Sequence, residues 1–358
     1  MGVKAFGFLS FGHHAIGNQQ GPSAAQVLKD SITIAQQADE LGVNGAYFRV
    51  HHFAPQGAAP LPLMSAIAAS TSRIEVGTGV IDMRYENPLY LAEETAALDL
   101  LSDQRVAIGV SRGSPEPAER GWEAFGYGPA ADDDPRAARL ARTTFLRYLS
   151  AIRGEAVARA AADHEQYPHL YHGGTPLPVF PHSPGLDRRV WWGSGTNASA
   201  EQAANDGVNL MSSTLVSEAT GASLGEIQAE QIQHYRDAWK TAGHEWMPRV
   251  SVSRSIFPIT NDRERQMFGF GESKDQIGSL GEGRNVTFGR TYADEPDKLI
   301  EQLKADPAIA MADTLLLTIP NQAGIEVNVD ILRNFAHHVA PALGWQPNTE
   351  GPVTGYDW

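Results

Sequence analysis

The chain contains no cysteine. That absence excludes disulfides, thiolate metal sites and a cysteine nucleophile. Nor does it hold an apolar run of the ~18 residues that a membrane-spanning helix needs, so no membrane span is expected. The opening MGVKAFGFLSFGHH lacks the charged start, apolar stretch and small-residue cleavage site of a secretory signal. The expectation is a cytoplasmic protein. Cations are the minority charge: 28 Lys and Arg against 42 Asp and Glu leave a formal net charge of −14. This balance disfavours a nucleic-acid backbone or an anionic membrane as partner. It still permits a local basic site for one phosphate. Apolar side chains are plentiful, at 42% of 358 residues, which is ample for a large core.

Short apolar runs alternate with helical patterns along the chain. Strands are expected at 3–10, 45–50, 74–81, 105–111, 189–193, 208–213, 249–257 and 313–319. The first helix places Val27, Ile34, Ala38 and Leu41 at helical spacing, and Gly42 stops it. Pro88 opens another, where its missing N–H is harmless. Further helices are expected at 61–71, 199–206, 224–242 and 296–305. The last one carries Leu332, Phe335, Ala336, Val339 and Leu343 on one face. Eight strands alternating with helices predict a (β/α)8 barrel, read as one unit over 1–358. A doubly wound sheet is weaker, because no G-x-G-x-x-G follows a strand. Long insertions follow the fourth strand (112–188) and the seventh (258–293). The second is rich in glycine and charge and reads as a mobile lid.

Several residues at strand ends can carry chemistry. His51 and His52 end the second strand, where barrel enzymes place catalytic groups and where an imidazole can move protons near neutral pH. The plainer alternative is that one ring caps the strand or packs on Phe53. Metal binding is unattractive, because adjacent strand side chains point to opposite faces, and no metal is expected. Arg112 follows the fourth strand between Ser111 and Gly113–Ser114, and its guanidinium suits phosphate oxygens. It could equally pair with Glu116 or Glu119. Residues 193–199, GSGTNAS, join a strand to a helix. Glycines, hydroxyls and a helix N-terminus make them a phosphate cradle or an ordinary N-cap. Gly77-Thr78-Gly79-Val80 breaks a strand with glycines, as close packing or a flat ring against the strand would require. Of Trp191 and Trp192, adjacent on a strand, one should face the barrel and the other a helix. The pairs His13–His14 and His337–His338 receive no role, and the latter is expected on a surface.

Taken in order, GFLSFG, RVHHF, VGTGV, NPLYLAEETAALDLLSDQRVAIGVSRG, WWGSGTNASAEQAANDGVNLM, DEPDKLIEQL and VAPALGW resemble the luciferase-like flavin-dependent monooxygenase family. The resemblance implies the same barrel with a flavin in its mouth. It implies that Arg112, Thr196 and Ser199 contact the FMN phosphate, with Gly195 allowing backbone approach. It places Gly79 and Val80 against the flavin ring, across a cis peptide, and His51 beside its reactive edge as the catalytic residue. It assigns 258–293 to a mobile active-site loop. The implied activity is that of a two-component monooxygenase. FMN reduced by a separate flavin reductase reacts with O2 to give a peroxyflavin, which oxygenates a small organic substrate. A homodimer is implied as well. Phe11, Phe53 and Met83 fall near strand ends and are candidates for an apolar substrate pocket. Two positions depart from the family pattern. Val50 stands where relatives carry the glutamate of Glu-His-His, so another group must orient His51. Asn87 precedes Pro88 where relatives often have histidine. One alternative is an F420-dependent hydride-transfer oxidoreductase, with Arg284 and Arg290 meeting the anionic tail of that deazaflavin. Another is a flavin-binding protein without turnover. A third is a metal-assisted barrel hydrolase using His51 or His52.

Overall fold

The computed structural model describes residues 3–113, 116–129, 131–217, 221–269, 271, 273–280 and 284–352. Eight parallel strands form its centre: β1 (Ala5–Ser10), β2 (Gly45–Phe48), β3 (Glu75–Thr78), β4 (Val106–Ser111), β5 (Val190–Ser194), β6 (Asn209–Ser212), β7 (Val250–Pro258) and β8 (Thr314–Ile319). Each strand pairs with the next, from β1–β2 to β7–β8. Pairing of β1 with β8 closes the ring. The result is the expected (β/α)8 barrel. Covered on both faces, the strands read as apolar runs rather than alternating ones.

Helices lie between the strands: α1 (Ala24–Glu40), α2 (Pro60–Ser70), α3 (Pro88–Leu101), α4 (Ala138–Ile152), α5 (Asn197–Asp206) and α6 (Leu224–Ala242). They are followed by α7 (Asp262–Phe268), α8 (Pro296–Lys304), α9 (Pro307–Met311) and α10 (Ile325–Asn334). Local chemistry sets their starts. Ser23 caps α1, and Ser223 and Glu226 form a reciprocal capping box on α6. The side-chain oxygen of Asn87 accepts the Leu89 and Tyr90 N–H groups at 3.0 and 3.2 Å, ahead of Pro88. Among the described residues no helix is long and apolar enough to cross a membrane.

Three sequence expectations need correction. The third strand ends at Thr78, not Ile81. The Gly79–Val80 peptide is cis, and the chain rejoins β4 as a short piece, Ile81–Asp82. The last helix gives way after Asn334 to a wider turn, Phe335–Val339, and a tighter one, Ala340–Leu343. Its apolar face is nevertheless buried as expected. The 258–293 stretch is not a plain loop. It holds α7, an antiparallel hairpin (Gln276–Leu280 with Arg284–Phe288) and a strand, Thr291–Asp294, laid parallel to the end of β7. Glycines and charges concealed the alternation of Val286, Thr287 and Phe288 in the sequence.

Leu9, Tyr47, Ala107, Trp191, Met211 and Leu316 fill the barrel interior. A Cβ on Gly45 or Gly77 would lie 2.4 or 2.6 Å from the Tyr47 ring. Gly77 therefore makes room for core packing. Trp191 is inside the barrel, and Trp192 meets Phe145 of α4 with ring centroids 4.8 Å apart, the expected division. The N-terminal end is closed by charge: Arg249 Nη1 reaches Glu75 Oε2 at 2.7 Å, and the Tyr47 hydroxyl donates to Glu75 Oε1 at 2.8 Å.

Candidate active site

The other end of the barrel is open. A cavity of about 450 Å³ lies at the C-terminal ends of the strands. This is within the range of roughly 300–1,000 Å³ usual for cofactor and ligand sites. Arg112, Gly79, Val80, Gly195, Thr196 and Ser199 all line it. So do Leu9, Trp192, Met211 and Val286, which supply apolar walls.

At one side the first turn of α5 faces the cavity. The Thr196 hydroxyl oxygen accepts the Ser199 N–H at 3.2 Å, so it is the N-cap. The Ser194 hydroxyl donates to the Thr196 carbonyl at 2.9 Å and touches the Ser199 hydroxyl. The capping reading of this segment is thus met, and the same hydroxyls lie beside the positive end of the helix dipole. A Cβ on Gly195 would find nothing closer than the Leu215 carbonyl oxygen at 3.7 Å. The protein itself does not need glycine there, and the space belongs to the cavity. Arg112 brings a guanidinium from the end of β4 to this cavity. Ser114, expected to help it, lies outside the described residues.

Gly113 has φ +80°, and a Cβ on it would fall 1.9 Å from Asp82 Oδ2. Asp82 is buried and held by Arg84, whose Nε and Nη2 donate to it at 2.9 and 2.5 Å. Burial still raises its carboxyl above the usual range, against the pull of Arg84 and Arg112.

Past the end of β2, His51 Nε2 stands 3.1 Å from Glu116 Oε2, with the two side chains 13% and 3% exposed. Glu116 lines the cavity, and His51 stands behind it. Burial pushes the Glu116 carboxyl up to about 7. The His52 N–H pulls it down, Asp82 pushes it further up, and Arg84 and Arg49 pull it down. A carboxyl so placed can hold or release a proton near neutrality. Glu116 also supplies the acidic partner of His51 that Val50 cannot, since Val50 is a buried wall residue.

His52 is the packing member of its pair. It is buried and stacks on Tyr85 at 4.1 Å. Burial, then Arg84, lowers its imidazole below the usual value. Of the three substrate-pocket candidates only Phe11 lines the cavity. Met83 is wholly buried in the main core, and Phe53 is half exposed in an aromatic group with Tyr85 and Phe125. Their place in the sequence is near strand ends, but each packs among other side chains and neither lines the cavity. Arg290 lines a separate cavity beside the start of α6, which corrects its expected place at the mouth. The Arg284 side chain lies outside the described set. Among the described residues, the cations that line the mouth are Arg49, Arg112, Arg136 and Arg142. Arg49 was missed in the sequence. Its guanidinium lies 4.9 Å from the centre of the Phe11 ring, and burial lowers its pKa, opposed by Glu116.

Comparison with known proteins agrees with this fold. Residues 5–305 match the family model described as luciferase-like monooxygenase. A relative of undescribed function from Sinorhizobium fredii is 29% identical over 204 residues, covering 56% of this chain and 55% of the relative. An F420-dependent glucose-6-phosphate dehydrogenase from Amycolatopsis mediterranei is 34% identical over 112 residues, 29% of this chain and 32% of that protein. The matches thus span about half or less of these relatives' lengths. The oxygenating constituent of 3,6-diketocamphane monooxygenase from Pseudomonas putida, solved with FMN, has a TM-score of 0.65 at 16% identity over 95% of this chain and 99% of that one. This last likeness is one of fold.

Proposed function

The chain belongs to the luciferase-like monooxygenase family, and on that premise we propose that it is a two-component flavin-dependent monooxygenase. It takes FMN reduced by a separate reductase and uses O2 to oxygenate a small organic substrate. The observation that carries this reading is the joining of two features in one cavity. One is a phosphate-competent helix start, and the other is a near-neutral carboxyl. A homodimer of single-domain chains in the cytoplasm belongs to the same proposal.

Reduced flavin supplies the oxygen chemistry when bound, and the protein supplies position and electrostatics. Arg112, Thr196 and Ser199 would hold the phosphate at the start of α5, and Gly195 would let it approach the backbone. Gly79 and Val80 would face the ring. Leu9, Trp192, Met211 and Val286 would keep water away from it. Glu116 delivers a proton into the cavity, with the His51 ring 3.1 Å behind it. This amends the expectation that His51 itself faces the flavin. F420-dependent hydride transfer is the second reading. It is favoured by Arg136 and Arg142 at the cavity wall, although Arg142 already grips Asp206.

The test is anaerobic titration with reduced FMN and, separately, reduced F420, followed by air. Tighter FMN binding with flavin-dependent oxygen uptake is expected. Arg112→Ala should weaken FMN binding by about 1.5–3 kcal/mol, the range for hydrogen bonds to charged groups. That is roughly 10- to 100-fold in Kd. Preference for F420 without oxygen uptake would overturn the monooxygenase reading.

A further inference from the structure

The excursion between α4 and β5 carries a cluster that the barrel chemistry does not use. It begins with a two-stranded ribbon, Ala158–Arg159 against Pro176–Leu177. The tip between them reads DHEQYPHLYHGG over 163–174. Asp163, His169 and His172 each offer one ligand atom, and these atoms all lie within 4.8 Å of one another. We propose that these three side chains bind one divalent cation of the zinc class.

The carboxylate is oriented for the task. Asp163 Oδ1 accepts the Gly173 N–H at 2.6 Å. Oδ2 then faces both imidazoles, at 3.8 Å from His169 Nε2 and 3.9 Å from His172 Nδ1. With metal–ligand bonds of about 2.0–2.2 Å, ligand atoms in a tetrahedral site stand roughly 3.3–3.6 Å apart. These two gaps need to close by up to about half an ångström, and the gap between the two imidazole nitrogens, within 4.8 Å, by up to about 1.5 Å through side-chain rotation. Two imidazoles and one carboxylate form a borderline donor set. It suits Zn²⁺ and its neighbours rather than Mg²⁺ or Ca²⁺, which prefer oxygen alone.

The backbone of the tip is already fixed. The Gln166 amide donates to the Ala161 and Tyr171 carbonyls at 2.7 and 2.8 Å and accepts the Tyr171 N–H at 3.1 Å. The Thr175 hydroxyl donates to the His172 carbonyl at 2.7 Å. Binding then orders side chains, not chain, which lowers its entropic cost. None of the three residues lines the barrel cavity. The ion's role is accordingly to clasp the excursion, and its coordination sphere is completed by water.

The test uses the full chain, free of any affinity tag and stripped of metal, titrated with Zn²⁺ by calorimetry. One equivalent should bind, unaffected by millimolar Mg²⁺. The D163N/H172Q variant should bind at least about tenfold more weakly, the scale on which metal-site substitutions act. The H337Q/H338Q variant, which alters an exposed histidine pair elsewhere, should bind as the parent does. Thermal unfolding in chelator should be the same for all three, showing that each is folded. Equal uptake by parent and D163N/H172Q, or no saturable uptake by the parent, would overturn the site.

Discussion

Under the proposed function, Glu116 is the residue on which the chemistry turns. Its folded-state pKa of about 7 lies above the ordinary carboxyl value because burial disfavours the charge. The folded protein therefore holds this proton more tightly than the unfolded chain does. The stabilisation is full below the ordinary carboxyl range and is lost as pH rises through about 7. As a proton donor Glu116 should follow the same limb: turnover falls as pH rises through that value. Glu116→Gln should lower turnover by about 10²–10⁴-fold, the usual worth of general acid–base catalysis. The fall near pH 7 should vanish from its profile, and so should part of the loss of stability between about pH 5 and pH 8. Profiles measured with saturating flavin decide this; an unchanged inflection would assign it to another group. That Arg112, Thr196 and Ser199 border one cavity was legible in the sequence, because strand ends followed by glycine and hydroxyls mark the open end of such a barrel. Glu116 was not. It follows its strand in a stretch without periodicity, and its partner His51 is remote in sequence and comes from another strand.

Helix starts were the most readable elements. Pro88 and Pro296 each open a helix where expected. The start of α5 was misplaced by two residues because Thr196, not a later hydroxyl, is its cap. Asn87, a departure from the family pattern, proves to be the cap of α3. Asn87→Ala should therefore destabilise the protein by about 0.5–2 kcal/mol, as lost caps do, and leave flavin binding unchanged. Urea unfolding and flavin titration of one preparation test both halves of that statement. A weakened flavin site with intact stability would place Asn87 in the active site instead. The 258–293 stretch was hardest to read, since its strands are short and flanked by glycine and charge. Their pairing partners, Leu215–Val216 and the end of β7, are distant in sequence.

Across the whole molecule, stability and chemistry occupy opposite ends of the barrel, as this fold usually arranges. At the closed end Glu75 and Arg249 bridge β3 to the start of β7, with side chains only 3% and 5% exposed. Glu75→Ala would strand a buried guanidinium, and breaking such a pair typically costs about 3–5 kcal/mol. Equilibrium denaturation should show that loss with cofactor affinity preserved in the folded fraction; a loss under about 1 kcal/mol would mean the pair is not what holds this end together. The barrel as a whole was legible because a period of strand and helix repeated eight times leaves few alternatives. At the open end the wall containing Val286 is sewn by antiparallel hydrogen bonds to Leu215–Val216. Those residues continue directly from Ser212, Ser213 and Thr214, which also border the cavity. Wall and floor are therefore one fabric: a change in the footing of either is carried along a few residues of chain to the other.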